Sequence, residues 1–320
     1  MQASPANTNN AMVSDYSVER LSSERLYHLE QLYEAVYKRK ASHNFFGIKY
    51  NTAYTGQQYL GFIAYRDNIP IAYYGVVPCF LECADKKILA AQSADTMTHP
   101  EFRQKGIFVE LAKMTFDLCN RSGVKLIFGF PNQNFYRAAP KLNWNTIHHM
   151  ACFIVSVKTI PFAGISRRSK MFAPLYRMYQ RTILNAYSST GVVFHNSVLA
   201  DGCCGVLRDE HYLKAKEYYS RTIMNKGKVK AWCRISNDLM VGDIELGNEN
   251  IEGILKKLRT IAAILGLKQI QFHASNGTTL HKALSNLFPS IPSFPVIIQD
   301  FGAGISYEQL KFTLADIDIF

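Results

Sequence analysis

The chain of 320 residues has no long apolar run. No segment is apolar for long enough to span a bilayer, which argues against a helical membrane protein. The N-terminus lacks a basic segment followed by an apolar core, so a secretory signal is not expected. Disorder-promoting composition is also missing. Apolar residues make up 48% and charged residues 19%, the balance of an ordinary globular protein. Only residues 1–12, small and polar, are expected to be disordered. Cysteine is too sparse, at seven residues, for a disulfide scaffold. Cys79 and Cys83 lie in apolar surroundings and Cys152 alternates within a strand pattern, so buried free thiols are expected. Cys203 and Cys204 are adjacent, with no second pair at ligand spacing, so no metal is expected. These features together point to the cytoplasm. Acidic residues are in deficit, 25 against 36 lysines and arginines, for a net charge of +11. Excess positive charge concentrates anions. Phosphorylated small molecules, nucleic acid and an anionic membrane surface are all compatible with it.

The most informative stretch reads HPEFRQKGIFVELAK, from His99 to Lys113. An apolar, β-favouring run over 87–97 leads into a His-Pro turn and the short basic loop Arg103-Gln104-Lys105-Gly106. Ile107, Leu111, Met114 and Leu118 then recur at helical spacing. In such a strand–loop–helix unit the free N–H groups of the first helical turn converge, and the helix dipole favours an anion there. Gly106 lets a ligand approach the backbone closely. An ordinary strand-to-helix turn with solvated basic residues would carry the same pattern.

The loop resembles the pyrophosphate loop of the GNAT superfamily of acyl-CoA-dependent N-acyltransferases. Arg103, Gln104, Lys105, Gly106 and Ile107 fit the family pattern R/Q-x-x-G-x-G/A, whereas Phe108 stands where Gly or Ala is usual. The flanking order agrees. Strands are expected over 16–21, 59–65, 71–81, 87–97, 125–130 and 147–157, with helices over 24–38, after the loop, and over 132–142. Lys141-Leu142-Asn143-Trp144 is similar to the family's K-L-G-F/W ending, and Asn accepts the left-handed conformation at a helix end.

The resemblance implies direct attack of an amine on the thioester of a bound acyl-CoA, acetyl-CoA by default. Met97, Thr98, Arg103, Gln104, Lys105, Gly106, Ile107, Phe108 and Asn132 would bind the cofactor, with the edge of the preceding strand pairing with its pantetheine arm. Asp95, near the end of that strand, is the candidate general base. Partial burial would raise its pKa, although a carboxylate there could equally bond local backbone or a cation. The family's usual tyrosine position is Ala139 here, so Tyr136, one turn earlier, is the candidate acid. Asn132 could instead cap the helix that starts beside it. Ser93 and His148 are candidates for the acceptor pocket. His148 and His149 face opposite ways on a strand, which rules out a paired metal site.

Residues 158–181 interleave Arg167, Arg168, Lys170, Arg177 and Arg181 with Met171, Phe172, Leu175, Tyr176 and Tyr179. This is either a linker helix packed on a domain, a site for an acidic acceptor, or a membrane contact. Beyond it the order of elements repeats: strands over 228–235 and 239–246, a helix over 250–265 ended by Gly266, a strand over 268–273, a helix over 278–287, and strands over 294–301 and 311–317. In the second unit Gly247-Asn248-Glu249-Asn250-Ile251-Glu252 replaces the basic loop, and its carboxylates would repel a pyrophosphate. One cofactor site per chain, in the first half, is therefore expected.

The implied fold is α/β (α+β): two GNAT-like domains, each a mixed, mostly antiparallel twisted sheet flanked by helices. The expected division is a catalytic domain over 13–160, a linker helix over 161–190 and a degenerate second domain over 191–320. The ending Asp316-Ile317-Asp318-Ile319-Phe320 resembles the D-x-D-x-F tail of some polysaccharide-cluster members. That suggests a small polar amine as acceptor, an amino sugar or its nucleotide-linked form, which can carry negative charge. The chain would act as a monomer or homodimer, without nucleic acid. The alternatives are a peptidyltransferase-like enzyme using aminoacyl-tRNA, and a non-catalytic CoA-binding module.

Overall fold

Period-2 alternation in the first half builds an antiparallel meander. In the computed structural model, which describes residues 15–160, 162–169, 171–188, 194–219, 222–226, 229–246 and 250–320, it begins with β1, Ser17–Arg20. Helix α1, Leu26–Tyr37, and the short α2, Phe45–Lys49, follow. Strands β2, Leu60–Arg66, β3, Ile69–Cys83, and β4, Lys86–Thr98, pair antiparallel in succession. Helix α3, Ile107–Arg121, returns across them with Ile107, Leu111, Ala112, Phe116 and Cys119 buried against Leu60, Ala72 and Val76. Each fully buried Leu or Ile on that face contributes about 1.5–3 kcal/mol. Strand β5, Leu126–Gly129, then runs parallel to β4.

Helix α4, Gln133–Ala138, a 3₁₀ turn over Ala139–Leu142, and β6, Asn145–Ser156, close the first half. Asn143 adopts the left-handed conformation that ends the turn, with φ 55°. Helices α5, Phe162–Arg168, and α6, Phe172–Tyr187, bridge to the second half. Among the described residues no helix is long and apolar enough to cross a membrane. Helix α7, Ser197–Ala200, the two-residue strand β7, Gly205–Val206, and α8, Glu210–Ala215, follow. Strands β8, Thr222–Lys226, β9, Val229–Ile235, and β10, Leu239–Glu245, form a second antiparallel meander. Helix α9, Ile251–Ile264, β11, Gln269–Ser275, helix α10, Thr279–Ser285, and β12, Ser290–Asp300, complete the chain's regular elements.

All these strands belong to one sheet, in the order β1-β2-β3-β4-β5-β12-β6-β11-β10-β9-β8, with β7 off the path on β3. About the central β12/β6 pair the order is nearly symmetric, with β5, β4, β3 and β2 matched by β11, β10, β9 and β8 and β1 left as an extra edge strand. Each half supplies an antiparallel meander and one parallel pair, β4 with β5 and β10 with β11. The last strand of each half is exchanged: β12 lies against β5, and β6 lies against β11. The two halves therefore share a continuous hydrogen-bonded sheet.

Two expectations need correction. Residues 311–317 are not a strand. Phe312, Leu314 and Asp316 alternate as a strand would, but an isolated bridge between Thr313 and Ala274 is the pairing found there, and Leu314–Asp316 winds into a buried 3₁₀ turn with a Thr313/Asp316 capping box. Cys83 and Cys204 are not free thiols. They are joined as a disulfide across 121 positions, tying the end of β3 to the segment before β7. The thiol argument for the cytoplasm loses that support. Cys79 and Cys152 are free and buried, as their context implied, and so are Cys119 and Cys233. The expectation for residues 1–12 and the acidic turn at 247–249 lie outside the described residues.

Candidate active site

Strand β4 has 13 residues and its parallel neighbour β5 only four. The two pair from Ala90 to Gln92 and then diverge. Beyond that point the β5-facing edge of Ser93 to Thr98 is open. A bulge marks the divergence: Asp95 and Thr96 of β4 stand opposite the single residue Tyr74 of β3. Asp95 takes φ 52° there, a left-handed conformation uncommon outside glycine. The bulge re-aims its carboxylate out of the sheet.

Two cavities meet along this edge. One, of about 700 Å³, runs from Thr96, Met97 and Thr98 over the loop Arg103 to Ile107 to Phe108 and Asn132. The other, of about 290 Å³, lies deeper and includes Ser93, Asp95, Gly129, Tyr219 and Asp318. Tyr37, Thr96, Asn132 and Phe135 line both, so the two form one passage.

The outer groove has the features of an anion site. Gly106 sits at φ 81° as the residue before α3, and no side chain caps the helix. The backbone N–H groups of residues 104–108 find no backbone acceptor among the described residues. A Cβ added at Gly106 would meet nothing within 4 Å, so the loop's outer face is open. Arg103 turns its Nε to the Thr98 carbonyl at 3.3 Å, and Lys105 lies 4.8 Å over the Phe102 ring. Arg137 and Lys141 also face this groove. Phe108 does not fill it. Its ring packs edge-on against Tyr74 and Phe135, at 5.3 and 5.4 Å, so a bulky residue is accommodated beneath the loop. Unpaired N–H groups, an open glycine and four basic side chains fit a pyrophosphate.

The inner cavity centres on a buried cation. Lys49 is 2% exposed and donates to Asp95 at 2.8 Å and to Asp318 at 3.0 Å. The Tyr50 hydroxyl donates to Asp95 at 3.1 Å. Phe45 and Tyr218 present their rings to the ammonium at 5.5 and 5.3 Å. Burial pulls the Lys49 pKa down, but Asp318 and Asp95 outweigh it and the net shift is upward, so the lysine stays charged. Burial raises the Asp95 pKa, Lys49 opposes it, and the carboxyl ends above its ordinary value. Two carboxylates share one ammonium, leaving a negative balance around the Asp95–Asp318 pair.

Asp318 arrives from the other end of the chain. The C-terminal segment is clamped by Arg208, fully buried, which donates to Asp316, Asp243 and Thr313. Lys216 donates to the carbonyls of Ala315 and Ile317, at 2.7 and 2.8 Å. Phe320 packs on Trp232, and Gly242 is required beneath it, because a Cβ there would sit 2.4 Å from the Phe320 ring. The tail is thus fixed on both sides of Asp318.

Several expected residues are gathered here. Met97, Thr98, Arg103 to Phe108 and Asn132 share the outer groove, and Ser93 and Asp95 the inner cavity. Asn132 also caps α4, accepting from the Phe135 N–H at 3.0 Å, so both readings of it hold geometrically. Two residues are elsewhere. Tyr136 lines neither cavity; one step along α4 from Phe135, its ring turns to His149 and Thr146. His148 also lines neither and bonds Ser275 on β11 at 2.8 Å. Sequence reasoning missed Lys49, Tyr37, Arg39 and Tyr219. Lys49 carried a faint signal, a lone lysine between the aromatics of Phe45-Phe46 and Tyr50.

Residues 17–146 match the family profile described as an acetyltransferase (GNAT) domain. The matched stretch includes Asp95, the loop Arg103 to Ile107 and Asn132. Solved structures share the fold over nearly the whole length. A protein of unknown function from Enterococcus faecalis, described as a probable N-acyltransferase, is 13% identical over 89% of this chain and 73% of its own, with a TM-score of 0.59. GCN5-related N-acetyltransferases from Kribbella flavida and Anabaena variabilis are each 12% identical over 90% of this chain. They are covered to 72% and 73%, with TM-scores of 0.55 and 0.52. A comparison with curated protein sequences returns no match. The GNAT family supports acyl-CoA-dependent acetyl transfer in general terms.

Proposed function

We propose that the chain is an acyl-CoA-dependent N-acyltransferase, using acetyl-CoA, that acylates the primary amine of a small polar acceptor. The observation that carries this reading is the single passage joining a loop of unpaired N–H groups to a carboxylate pair at the bulge of β4. Bound at that loop, the cofactor would supply an activated acyl carbon. Gln104 to Phe108 would hold its pyrophosphate through their N–H groups, with Arg103, Lys105, Arg137 and Lys141 adding charge. The open β4 edge after Gln92 would accept the amide-bearing arm as an added strand, and Asn132 would meet it from the other wall.

The inner cavity suits an ammonium. Asp318 and Asp95 attract it, and Lys49 fixes both carboxylates in place. Asp95, with its raised pKa, takes the proton as the amine attacks. Tyr37 stands where the cavities meet. Burial and Asp95 raise its pKa, which keeps the phenol protonated and able to donate to the leaving thiolate. Arg39 at the cavity wall would engage an anionic group on the acceptor, as in a nucleotide-linked amino sugar. The second half, 191–320, is read as a degenerate unit of the same plan that contributes Asp318 rather than a second cofactor site.

A thiol-release assay over a panel of amines, including amino sugars, tests this. Wild type should release CoA with at least one amine. Asp95→Asn should lower kcat by about 10²-fold or more with little change in CoA affinity. CoA binding without turnover on any amine would favour a non-catalytic module, and retention of tRNA without CoA would favour the peptidyltransferase reading.

A further inference from the structure

We propose that the outer face of α5 and α6 is a membrane-docking surface that lies on anionic phospholipid. Helix α6 has two apolar stripes where an ordinary surface helix has one. The inner stripe, Tyr176, Ile183, Leu184 and Tyr187, packs on the core of the second half. The outer stripe, Met171, Phe172, Leu175 and Met178, is 74%, 48%, 57% and 64% exposed. Ile160, just before α5, and Phe162 and Ile165 within it are exposed as well. Seven large apolar side chains within 20 residues are exposed, a density that soluble surfaces rarely leave open without a partner.

Charge selects the partner. No Asp or Glu occurs between residues 118 and 200, while that stretch holds ten lysines and arginines. Six of the ten fall between Lys158 and Arg181 in the sequence. Arg177 and Arg181 stand one turn apart along a groove of about 530 Å³ that also includes Gln180, Leu184, Asn185 and Thr222. Among the described residues neither arginine forms an ion pair. A second copy of the same face would bring cation against cation, so self-association is disfavoured. A bilayer with anionic headgroups satisfies both parts: the stripe enters the acyl boundary and the arginines meet phosphates. The helix lies on the surface and does not cross it.

Vesicle flotation of the whole protein tests the idea. Binding to vesicles with about 30% phosphatidylserine should exceed binding to pure phosphatidylcholine at least about tenfold and fall as salt rises. Replacing Phe172→Ser, Leu175→Ser and Met178→Ser together should cut binding about tenfold or more, with thiol release on a soluble amine unchanged. Arg177→Gln with Arg181→Gln should remove the preference for the anionic vesicles. Circular dichroism and melting of both variants confirm the fold. The proposal is overturned if wild type ignores both vesicles or if neither variant changes binding. It also fails if sedimentation shows a dimer that the triple variant dissolves.

Discussion

Helices α3 and α9 occupy equivalent places in the sheet, each crossing between a meander and its parallel strand. Their N-termini differ. Helix α9 closes its own first turn: the Asn250 side chain accepts from the Gly253 N–H at 2.8 Å, and Glu252 faces the dipole's positive end. Helix α3 follows Gly106 with no side-chain cap, after a loop whose N–H groups have no backbone acceptor among the described residues. An uncapped helix start is unfavourable unless water or a ligand supplies the acceptors. One scaffold thus carries a helix start capped by its own side chain and one left uncapped.

Breaking the open end should have the largest effect. Gly106→Asp places a carboxylate where the diphosphate would lie. CoA affinity measured by calorimetry should fall about a hundredfold or more. The melting temperature should hold within a few degrees, since a Cβ there is unobstructed and Asp accepts positive φ better than most residues. Unchanged affinity would remove the loop from the site.

A smaller effect should appear in the seam between the halves. Burial lowers the His148 and His273 pKa values to about 4 each, with Lys311 adding to the shift at His148. Below about pH 6.5 the unfolded chain binds protons that the folded histidines refuse. Their contribution to stability is complete above that pH and is lost as pH falls toward 4. Replacing both histidines by Gln should flatten the melting temperature between pH 7 and 4.5. An unaltered slope would place the acid sensitivity elsewhere.

The smallest change tests the closed end. Asn250→Ala should cost about 1 kcal/mol of stability by denaturant unfolding and leave CoA affinity untouched. If it altered CoA binding, the two helix starts would not be independent.

The loop and Asp95 were legible because local sequence determines them: a strand, a basic turn with one glycine, and an amphipathic helix. The partners of Asp95 were not. Asp318 lies 269 positions from Lys49, and its place depends on where Arg208, Lys216 and Trp232 hold the tail. Alternation in 311–317 looked like a strand because Arg208 draws Thr313 and Asp316 inward between buried apolar residues. Tyr136 was misplaced because a six-residue helix leaves its phase open, and Phe135 takes the cavity side. The exchange of β6 and β12 is invisible in element order, since it reverses which half each last strand pairs with.

The central claim is that one end of the molecule, and only that end, binds a pyrophosphate. Calorimetric titration of the whole chain with CoA measures it directly. The account predicts one site per chain, abolished by Gly106→Asp. Two sites, or a single site that survives that substitution, would contradict it.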